Sequence, residues 1–298
     1  MHADQVDLSP AEVAELVAAR FPQWHHRPVR PVTSHGTVNA LFRLGDDLVA
    51  RLPLRPSVAP DRRDELAHEQ EQAQWLAAHL PLAVPEPLAL GAPGPGYDGW
   101  WTVYRWIPGE TASHHTIGDP GTFARELAGF VTALHAVDTG GRTWNGLTRG
   151  GPLAAKDDDV QRALAQSTHL IDTSRVAEIW ARCRDAEPAA ADVWLHADLM
   201  PGNLLVRDGR LAAVIDLEAV CVGDPAVDLM PAWNLLPAGA RDVYRQALDV
   251  DDATWARGIG WAIVQAIVAL PYYVDTNPVM AATARETLTA LLDRPGLD

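Results

Sequence analysis

The spacing of apolar residues predicts two helices and a hairpin in the first third of the chain. A helix is expected to begin after Ser9, because Pro10 and Glu12 complete the usual helix-start signals and apolar residues then recur at helical spacing as far as Phe21. Two apolar segments flank Gly45-Asp46-Asp47, which predicts a pair of strands joined by a turn. A second helix is predicted over residues 61–79.

The rest of the chain reads mostly as helix. An apolar strand is predicted from Trp100 to Ile107, where it meets Pro108-Gly109, and residues 139–155 are glycine-rich and are expected to form a long loop. Helices are predicted over residues 120–138, 159–169, 174–186, 227–235, 239–248, 253–270 and 279–292.

Residues 194–216 contain the candidate chemistry, because they place polar side chains among leucine, valine and isoleucine. Asn203 begins an apolar segment, Asp208-Gly209 favours a tight turn, and a second apolar segment ends at Asp216. A hairpin here brings Asn203 close to Asp216, and an amide oxygen beside a carboxylate is a suitable hard-oxygen site for Mg²⁺. Asp198, just before the hairpin, is then placed to act on a hydroxyl. Phosphoryl transfer requires this combination of a metal on the phosphates and a carboxylate for the attacking hydroxyl.

Composition and charge narrow the class of protein. The 298 residues suffice for one large domain or two small ones, and 48% hydrophobic content is ordinary for a soluble globular protein. A net charge of −15 argues against nucleic acid as a partner and is compatible with a cationic substrate. The beginning of the chain does not read as a signal peptide, and the longest apolar run, residues 260–270, is too short to span a membrane and contains Gln265. The chain has only two cysteines, neither in a metal-ligand spacing, which fits the reducing cytoplasm. For the oligomeric state we expect a monomer, with a dimer as the alternative.

Three motifs in sequence order carry a family resemblance. His196-Ala197-Asp198 with Asn203 resembles the catalytic loop of the kinase-like phosphotransferases, in the form found in aminoglycoside and macrolide phosphotransferases. Ile215-Asp216 resembles the metal-binding segment of that family, and residues 223–229 (Gly-Asp-Pro-Ala-Val-Asp-Leu) resemble its next landmark. The resemblance implies a two-lobed, protein-kinase-like α+β fold, with a nucleotide-binding lobe over residues 1–104 and a catalytic and substrate-binding lobe over residues 105–298.

The resemblance also implies a nucleotide site in the N-terminal lobe. Ser34 and Gly36 would lie in the loop over the phosphates; with one glycine the segment alone reads as an ordinary turn, but its position ahead of the hairpin favours the phosphate loop. Arg51 stands where the family usually has lysine, and Glu69 is the best match to its helix carboxylate, with Glu65 and Glu71 as competitors. The main chain of Arg105 and Ile107 would bind adenine.

The implied activity is transfer of a phosphoryl group from ATP or GTP, with Mg²⁺, to a small-molecule hydroxyl. Asp198 would orient the hydroxyl and take its proton, Asn203 and Asp216 would hold the metal, and His196 would anchor the loop. The remaining landmark aspartates, Asp224 and Asp228, are expected to stabilise the loop and cap the following helix, and Glu218 could contact the metal or a substrate ammonium group. The expected acceptor is an aminoglycoside, macrolide or related antibiotic, most of which are cationic. Two alternatives stay open: a metabolic kinase for choline, homoserine or a sugar, and a kinase-like binding module without activity.

Overall fold

The structure is a computed structural model and describes residues 5–34, 36 and 38–293. It contains two compact units: one comprises Met1–Ala78 with Ala83–Pro108, and the other comprises His79–Leu82 with Gly109–Asp298. The division of roles between a lobe ending at residue 104 and a lobe beginning at residue 105 stays a prediction.

The first unit is an antiparallel sheet with two helices. Its five strands lie in the order β1-β2-β3-β5-β4. Their bounds and those of the helices are α1 Pro10–Arg20, β1 Val29–Pro31, β2 Asn39–Leu44, β3 Leu48–Pro53, α2 Pro60–Ala77, β4 Pro87–Gly91 and β5 Trp101–Arg105.

The predicted helix start and hairpin in this unit are both confirmed. Ser9 and Glu12 form a reciprocal capping box at the beginning of α1. Strands β2 and β3 pair in register from Asn39–Pro53 to Leu44–Leu48. The buried face of α1 then packs on the inner side of the sheet, in a core formed by Val13, Leu16, Val17, Phe42, Leu44, Leu48, Ala50, Leu52, Tyr97, Trp101 and Val103.

The second unit is mostly helical and contains two small antiparallel sheets, β6-β8-β9 and β7-β10. The bounds of its elements are β6 Glu110–Thr111, α3 Pro120–His135, α4 Asp157–Gln166, α5 Thr173–Arg184, β7 Val193–Leu195, β8 Leu204–Arg207, β9 Arg210–Val214, β10 Cys221–Gly223, α6 Pro231–Asn234, α7 Ala238–Leu248, α8 Asp252–Tyr273 and α9 Pro278–Leu292.

Two of the predicted helices differ in the structure, and proline explains one of them. The helix expected over residues 227–235 is divided into a 3₁₀ segment, Pro225–Leu229, and the short helix α6. Pro231 has no N–H to continue the ladder of hydrogen bonds, so a new helix begins there. Helix α8 instead runs beyond the predicted end at Leu270 and contains Pro271; Val274 still donates to the Leu270 carbonyl, so the turn around the proline stays helical.

Helix α8 also corrects the expectation that no apolar segment is long enough to span a membrane. It has 22 residues and contains an 18-residue apolar window with a mean hydropathy of 1.3, so by length and composition alone it could cross one. However, 61% of that apolar window is buried inside the protein, as is normal for a core helix. The helix also carries a charged residue, Arg257, whose side chain is buried and only 5% exposed.

Arg257 fixes the position of α8 through a buried ion pair with Asp224. Its Nε donates to Asp224 Oδ2 at 2.6 Å and its Nη2 donates to Asp224 Oδ1 at 3.1 Å. Nη1 donates to the Glu187 carbonyl and Nη2 also donates to Thr254 Oγ1. Asp224 caps the following 3₁₀ segment by accepting from the Ala226 N–H, which confirms its predicted stabilising role.

We expect Arg257→Ala to lower the free energy of unfolding of the second unit by about 3–5 kcal/mol, because it leaves the Asp224 carboxylate buried without its cation. Arg162→Ala is the matched control: Arg162 pairs with Asp159 at 3.0 Å, but both side chains are more than half exposed. An exposed pair contributes only about 0–1 kcal/mol. Urea unfolding of the two variants measures the difference. Equal loss in both would show that the buried pair has no special role.

Candidate active site

The loop between β7 and β8, residues 196–203, is held in place by a buried histidine. His196 is fully buried, and its Nδ1 accepts from the Asp198 N–H at 3.3 Å. The Nε2 nitrogen must therefore carry the proton, and it donates to the Ile215 carbonyl at 3.0 Å. The ring thus ties the loop to the residue before Asp216, which confirms the anchoring role predicted for His196.

A second anchor is the carboxylate of Asp228, which is fully buried beneath the loop. It accepts from the backbone N–H of His196 at 3.0 Å and from that of Ala197 at 2.9 Å, and His135 Nε2 lies 3.2 Å away. Ala197 has φ +64°, a conformation disfavoured for a residue with a side chain, and these bonds maintain it. Asp228 therefore stabilises the loop, as predicted.

Tyr244 supports Asp228 from below, because its hydroxyl donates to the Asp228 main-chain carbonyl at 2.8 Å. Burial, followed by the negative charge of Asp228, raises the pKa of Tyr244 well above its usual value. The phenol consequently stays protonated and remains a donor at every physiological pH.

Asp198 lies on this loop with a side chain that is 25% exposed and hydrogen-bonded at both carboxylate oxygens. Oδ2 accepts from Asn203 Nδ2 at 3.1 Å. Oδ1 forms an ion pair with Arg149 and accepts from Gln265 Nε2 at 3.4 Å. The carboxylate is thus held in one orientation while part of it remains accessible to solvent. Such a group can orient a hydroxyl and receive its proton.

The predicted hairpin is present and brings Asn203 next to the segment that ends at Asp216. Strands β8 and β9 pair from Leu204 with Val214 to Arg207 with Arg210. Beyond the pair, the Ile215 N–H donates to the Asn203 carbonyl at 2.9 Å. The Asn203 amide nitrogen donates to both Asp198 O and Asp198 Oδ2, so its Oδ1 is the atom left to bind a metal. Asp216 has φ +67°, a conformation that aspartate tolerates better than most residues.

This pair of side chains fits Mg²⁺. A carboxamide oxygen and a carboxylate are hard donors, and Mg²⁺ is usually bound through one or two carboxylates plus substrate phosphates and water. Among the residues that the structure describes, no cluster of three or more His, Cys, Asp or Glu side chains could hold a metal by itself. A metal at Asn203 and Asp216 would therefore need ligands from a bound phosphate, as expected of a nucleotide–metal complex.

Residues 144–151 form a loop that carries Arg149. No sequence pattern predicted that this loop would contact Asp198. Arg149 Nη1 donates to the Ala197 carbonyl at 2.7 Å in addition to pairing with Asp198. The Asp224 N–H donates to Gly150 O at 2.9 Å, and Cys221 Sγ donates to Arg149 O at 3.5 Å. Burial raises the pKa of the Cys221 thiol to about 11, so it stays a donor.

Gly150 explains why this loop can approach the β7-β10 sheet so closely. Its φ is +98°, and a Cβ at this position would lie 2.8 Å from Leu195 Cδ1 and 3.0 Å from Gly223 Cα. Only glycine fits such a contact. The sequence showed a glycine-rich stretch but contained no signal that it would carry a partner of Asp198.

Gln265, the other partner of Asp198, did leave a signal. It is the single polar residue in the apolar run from 260 to 270, and a lone amide on a core helix needs a hydrogen-bond partner. The sequence did not show that this partner would be Asp198, 67 residues earlier in the chain.

The predicted phosphate-loop and strand residues lie in the first unit. Ser34 Oγ accepts from the Gly36 N–H at 3.0 Å; the neighbouring positions 35 and 37 of the predicted loop are outside the described residues. Arg51 lies on β3, with its guanidinium carbon 5.5 Å from the centre of the Tyr104 ring. Glu69, on α2, lies 3.5 Å from Arg62 Nη1, so its predicted pairing with Arg51 stays a prediction.

The predicted adenine-binding segment follows β5. Arg105 donates through its N–H to the Glu86 carbonyl at 2.9 Å, and its guanidinium pairs with the Glu86 carboxylate at 2.5 Å. This hydrogen bond raises the pKa of Arg105 and lowers the pKa of Glu86. The Trp106 N–H donates to Asp47 O, whereas none of the described backbone hydrogen bonds uses the Ile107 N–H. Ile107 can therefore offer that donor to a ligand.

Comparison with known proteins yields aminoglycoside phosphotransferases and a homoserine kinase. An aminoglycoside 3'-phosphotransferase of Escherichia coli is 27% identical over 187 residues, which cover 60% of this chain and 65% of the relative. A homoserine kinase of Methylocella silvestris is 29% identical over 145 residues, which cover 48% of this chain and 40% of the kinase. The match thus spans just under two thirds of the aminoglycoside phosphotransferase and two fifths of the homoserine kinase.

Solved structures match over nearly the whole chain. The GDP and kanamycin complex of APH(2")-IIia superposes with a TM-score of 0.71 at 17% identity, covering 95% of this chain and 99% of that one. Macrolide 2'-phosphotransferase MphH from Brachybacterium faecium superposes with a TM-score of 0.59 at 24% identity, covering 95% and 98%. These similarities confirm the predicted kinase-like α+β fold. A profile of the phosphotransferase enzyme family (APH) matches residues 29–262, which is most of the chain, and the protein is therefore a member of that family.

Proposed function

We propose that this protein transfers the γ-phosphoryl group of ATP or GTP to a hydroxyl group of an antibiotic of the aminoglycoside or macrolide kind. The observation that carries the proposal is the position of Asp198, held by His196 and Asn203 beside a hairpin whose other end is Asp216. Family membership and the names of the relatives support it, since two of them bind or act on antibiotics of these classes.

In the proposed reaction, Asp198 accepts a hydrogen bond from the acceptor hydroxyl. This bond orients the hydroxyl oxygen toward the γ-phosphorus. The new O–P bond forms as the bond from the γ-phosphorus to the bridging oxygen of the β-phosphate breaks. The hydroxyl proton passes to the Asp198 carboxylate, and the nucleoside diphosphate leaves with the electron pair of the broken bond. A carboxylate is a weak base for an alcohol, so the contribution of Asp198 is mostly to orient the hydroxyl.

Asn203 and Asp216 are the residues that we propose to hold Mg²⁺. These residues would hold an ion whose positive charge would offset the negative charge that spreads over the transferring phosphoryl group. Glu218, two residues after Asp216, is a candidate for a further contact with this complex.

The first unit would bind the rest of the nucleotide. We propose that Arg51 contacts the phosphates and pairs with Glu69, and that residues near Ser34 and Gly36 cover the phosphates. The Arg105 carbonyl and the Ile107 N–H would bind the base. Arginine can replace lysine here because its fork of donors also binds phosphate oxygens.

A metabolic alcohol is the second candidate acceptor, and the similarity to a homoserine kinase is the observation that favours it. A binding module without activity is less well supported, because Asp198, Asn203 and Asp216 are all present, and Asn203 contacts both Asp198 and the residue before Asp216.

A nucleotide-consumption screen tests the proposal. Purified protein with ATP or GTP and Mg²⁺ would be offered aminoglycosides, macrolides, choline, homoserine and simple sugars, and each active mixture would be repeated with the Asp198→Asn variant. Transfer to an antibiotic that depends on Asp198 supports the proposal. Transfer confined to a metabolic alcohol would identify a metabolic kinase, and no Asp198-dependent transfer to any alcohol would overturn the proposal.

Overall charge supports a cationic acceptor, since the net charge of −15 attracts positively charged molecules. We expect kcat/KM for a cationic antibiotic to fall as salt rises while kcat changes little, because the screening length is only about 8 Å at physiological ionic strength. Steady-state kinetics between low and high salt measure this. A salt-independent kcat/KM would remove the charge argument and leave the phosphotransferase proposal intact.

We also propose that the protein acts as a monomer in the cytoplasm. Cys183 and Cys221 are both buried, and a chain with only two cysteines is compatible with a reducing compartment.

A further inference from the structure

Helix α8 presents an exposed apolar face that begins at the proposed catalytic carboxylate. Gln265 touches Asp198, and residues three and seven positions later lie on the same face of a helix. These residues are Val268, which is 42% exposed, and Tyr272, which is 51% exposed. At a rise of 1.5 Å per residue, this face extends roughly 10 Å from Gln265 to Tyr272.

The chemistry of this face is unlike that expected for a polycation. From residue 258 to residue 274 the sequence contains no charged side chain. The charge of Asp198 is itself offset by Arg149. Several ammonium groups placed against Val268 and Tyr272 would lose water to apolar side chains, and residues 258–274 of this helix offer them no carboxylate.

The loop that carries Arg149 also has an exposed apolar side chain. Leu147, two residues before Arg149, is 88% exposed. Its position is fixed, because Asn145 Oδ1 accepts from the N–H groups of Leu147 and Thr148 at 2.9 and 3.0 Å. Single exposed leucines need no explanation, but this one lies on the loop that contacts the catalytic carboxylate.

We infer that the acceptor is an alcohol with an extended apolar body and at most one basic group, which lies along Gln265, Val268 and Tyr272 while its hydroxyl meets Asp198. The inference rests on the proposed function and selects within it: a macrocyclic lactone bearing one amino sugar fits this face, and a polyamino sugar does not. The Gln265 bond to Asp198 Oδ1 is the longest of those to the carboxylate, at 3.4 Å, and yields most easily to the incoming hydroxyl.

Kinetics with two acceptors and two charge variants test the inference. The acceptors are a macrolide with one amino group and kanamycin, and the variants are Val268→Asp and Val268→Lys. We expect the wild-type protein to phosphorylate the macrolide with the higher kcat/KM. Both variants should lower that value about tenfold through KM, because either charge spoils the apolar contact. Val58→Asp is the matched control: it makes the same change at a valine that is 61% exposed in the first unit, and it should leave kcat/KM unchanged.

Other outcomes overturn the inference in distinguishable ways. Transfer mainly to kanamycin, raised by Val268→Asp and lowered by Val268→Lys, would mean a cation site and leave the phosphotransferase function standing. A second outcome is that neither variant changes the macrolide kinetics and that Val268→Asp dissociates a dimer seen in sedimentation. This outcome would mean that a second copy of the chain covers this face. Absence of Asp198-dependent transfer to any alcohol would overturn the proposed function and the inference together.

Discussion

Asp198→Asn is expected to lower kcat by about 10²–10⁴-fold, the usual contribution of a positioned acid–base group. Asparagine has nearly the same shape and keeps one oxygen that can still accept from Arg149 and Gln265, but it could no longer take a proton. Nucleotide affinity should change little, because the proposed role of Asp198 is toward the acceptor hydroxyl. Turnover with an acceptor identified by screening and a separate nucleotide titration measure the two effects.

Asp208→Asn is the matched control for this variant. Asp208 is exposed at the turn of the β8-β9 hairpin and has φ +53°, which asparagine adopts as readily as aspartate. It removes the same charge from the neighbouring hairpin without touching the proposed site, so we expect wild-type turnover. Wild-type turnover by Asp198→Asn as well would show that Asp198 is not the group that handles the acceptor.

The part of the site that could be predicted from the sequence depends on local signals. The Asp208-Gly209 turn and the apolar segments on either side fix the hairpin, and the hairpin alone places Asn203 beside Ile215. Asp198 and Asn203 are only five residues apart, so their contact follows from the local chain.

The contacts that could not be predicted join distant parts of the chain. Arg149 and Gln265 reach Asp198 across 49 and 67 residues, and only the packing of the loop and of α8 brings them there. The same applies to the Arg257–Asp224 pair, across 33 residues, which positions α8. Polar residues of this kind have no periodic pattern that would identify their partners.

Local propensity also gave wrong limits where proline and burial compete with it. The predicted helix ends at Leu270, immediately before Pro271, yet α8 continues to Tyr273. The loss of one hydrogen bond is offset there by tertiary packing, since Leu270 is fully buried. This extension matters for function, because it adds Tyr272 to the face that we assign to the acceptor.

The second large effect is expected from Asp216, where the choice of substitution matters. Asp216 has φ +67°, and alanine would add backbone strain of about 1–2 kcal/mol to the loss of a ligand. Asparagine accepts this conformation and keeps an oxygen, so Asp216→Asn isolates the effect of the negative charge. We expect the apparent affinity for the Mg²⁺–nucleotide complex to fall roughly 100-fold, at least as much as for the loss of an outer-shell partner of a metal.

Nucleotide titrations with and without Mg²⁺ measure this loss. Asn203→Ala should weaken the metal-dependent part less than Asp216→Asn does, because an amide brings no charge to the ion. Asp249→Asn is the matched control: Asp249 is an exposed aspartate with φ +51° at the end of α7, so it repeats the change of charge and the backbone conformation away from the site. If Mg²⁺ enhanced nucleotide binding equally in the wild-type protein, Asp216→Asn and Asp249→Asn, then Asp216 would not be a metal ligand, and the hairpin would serve only to hold the loop that carries Asp198.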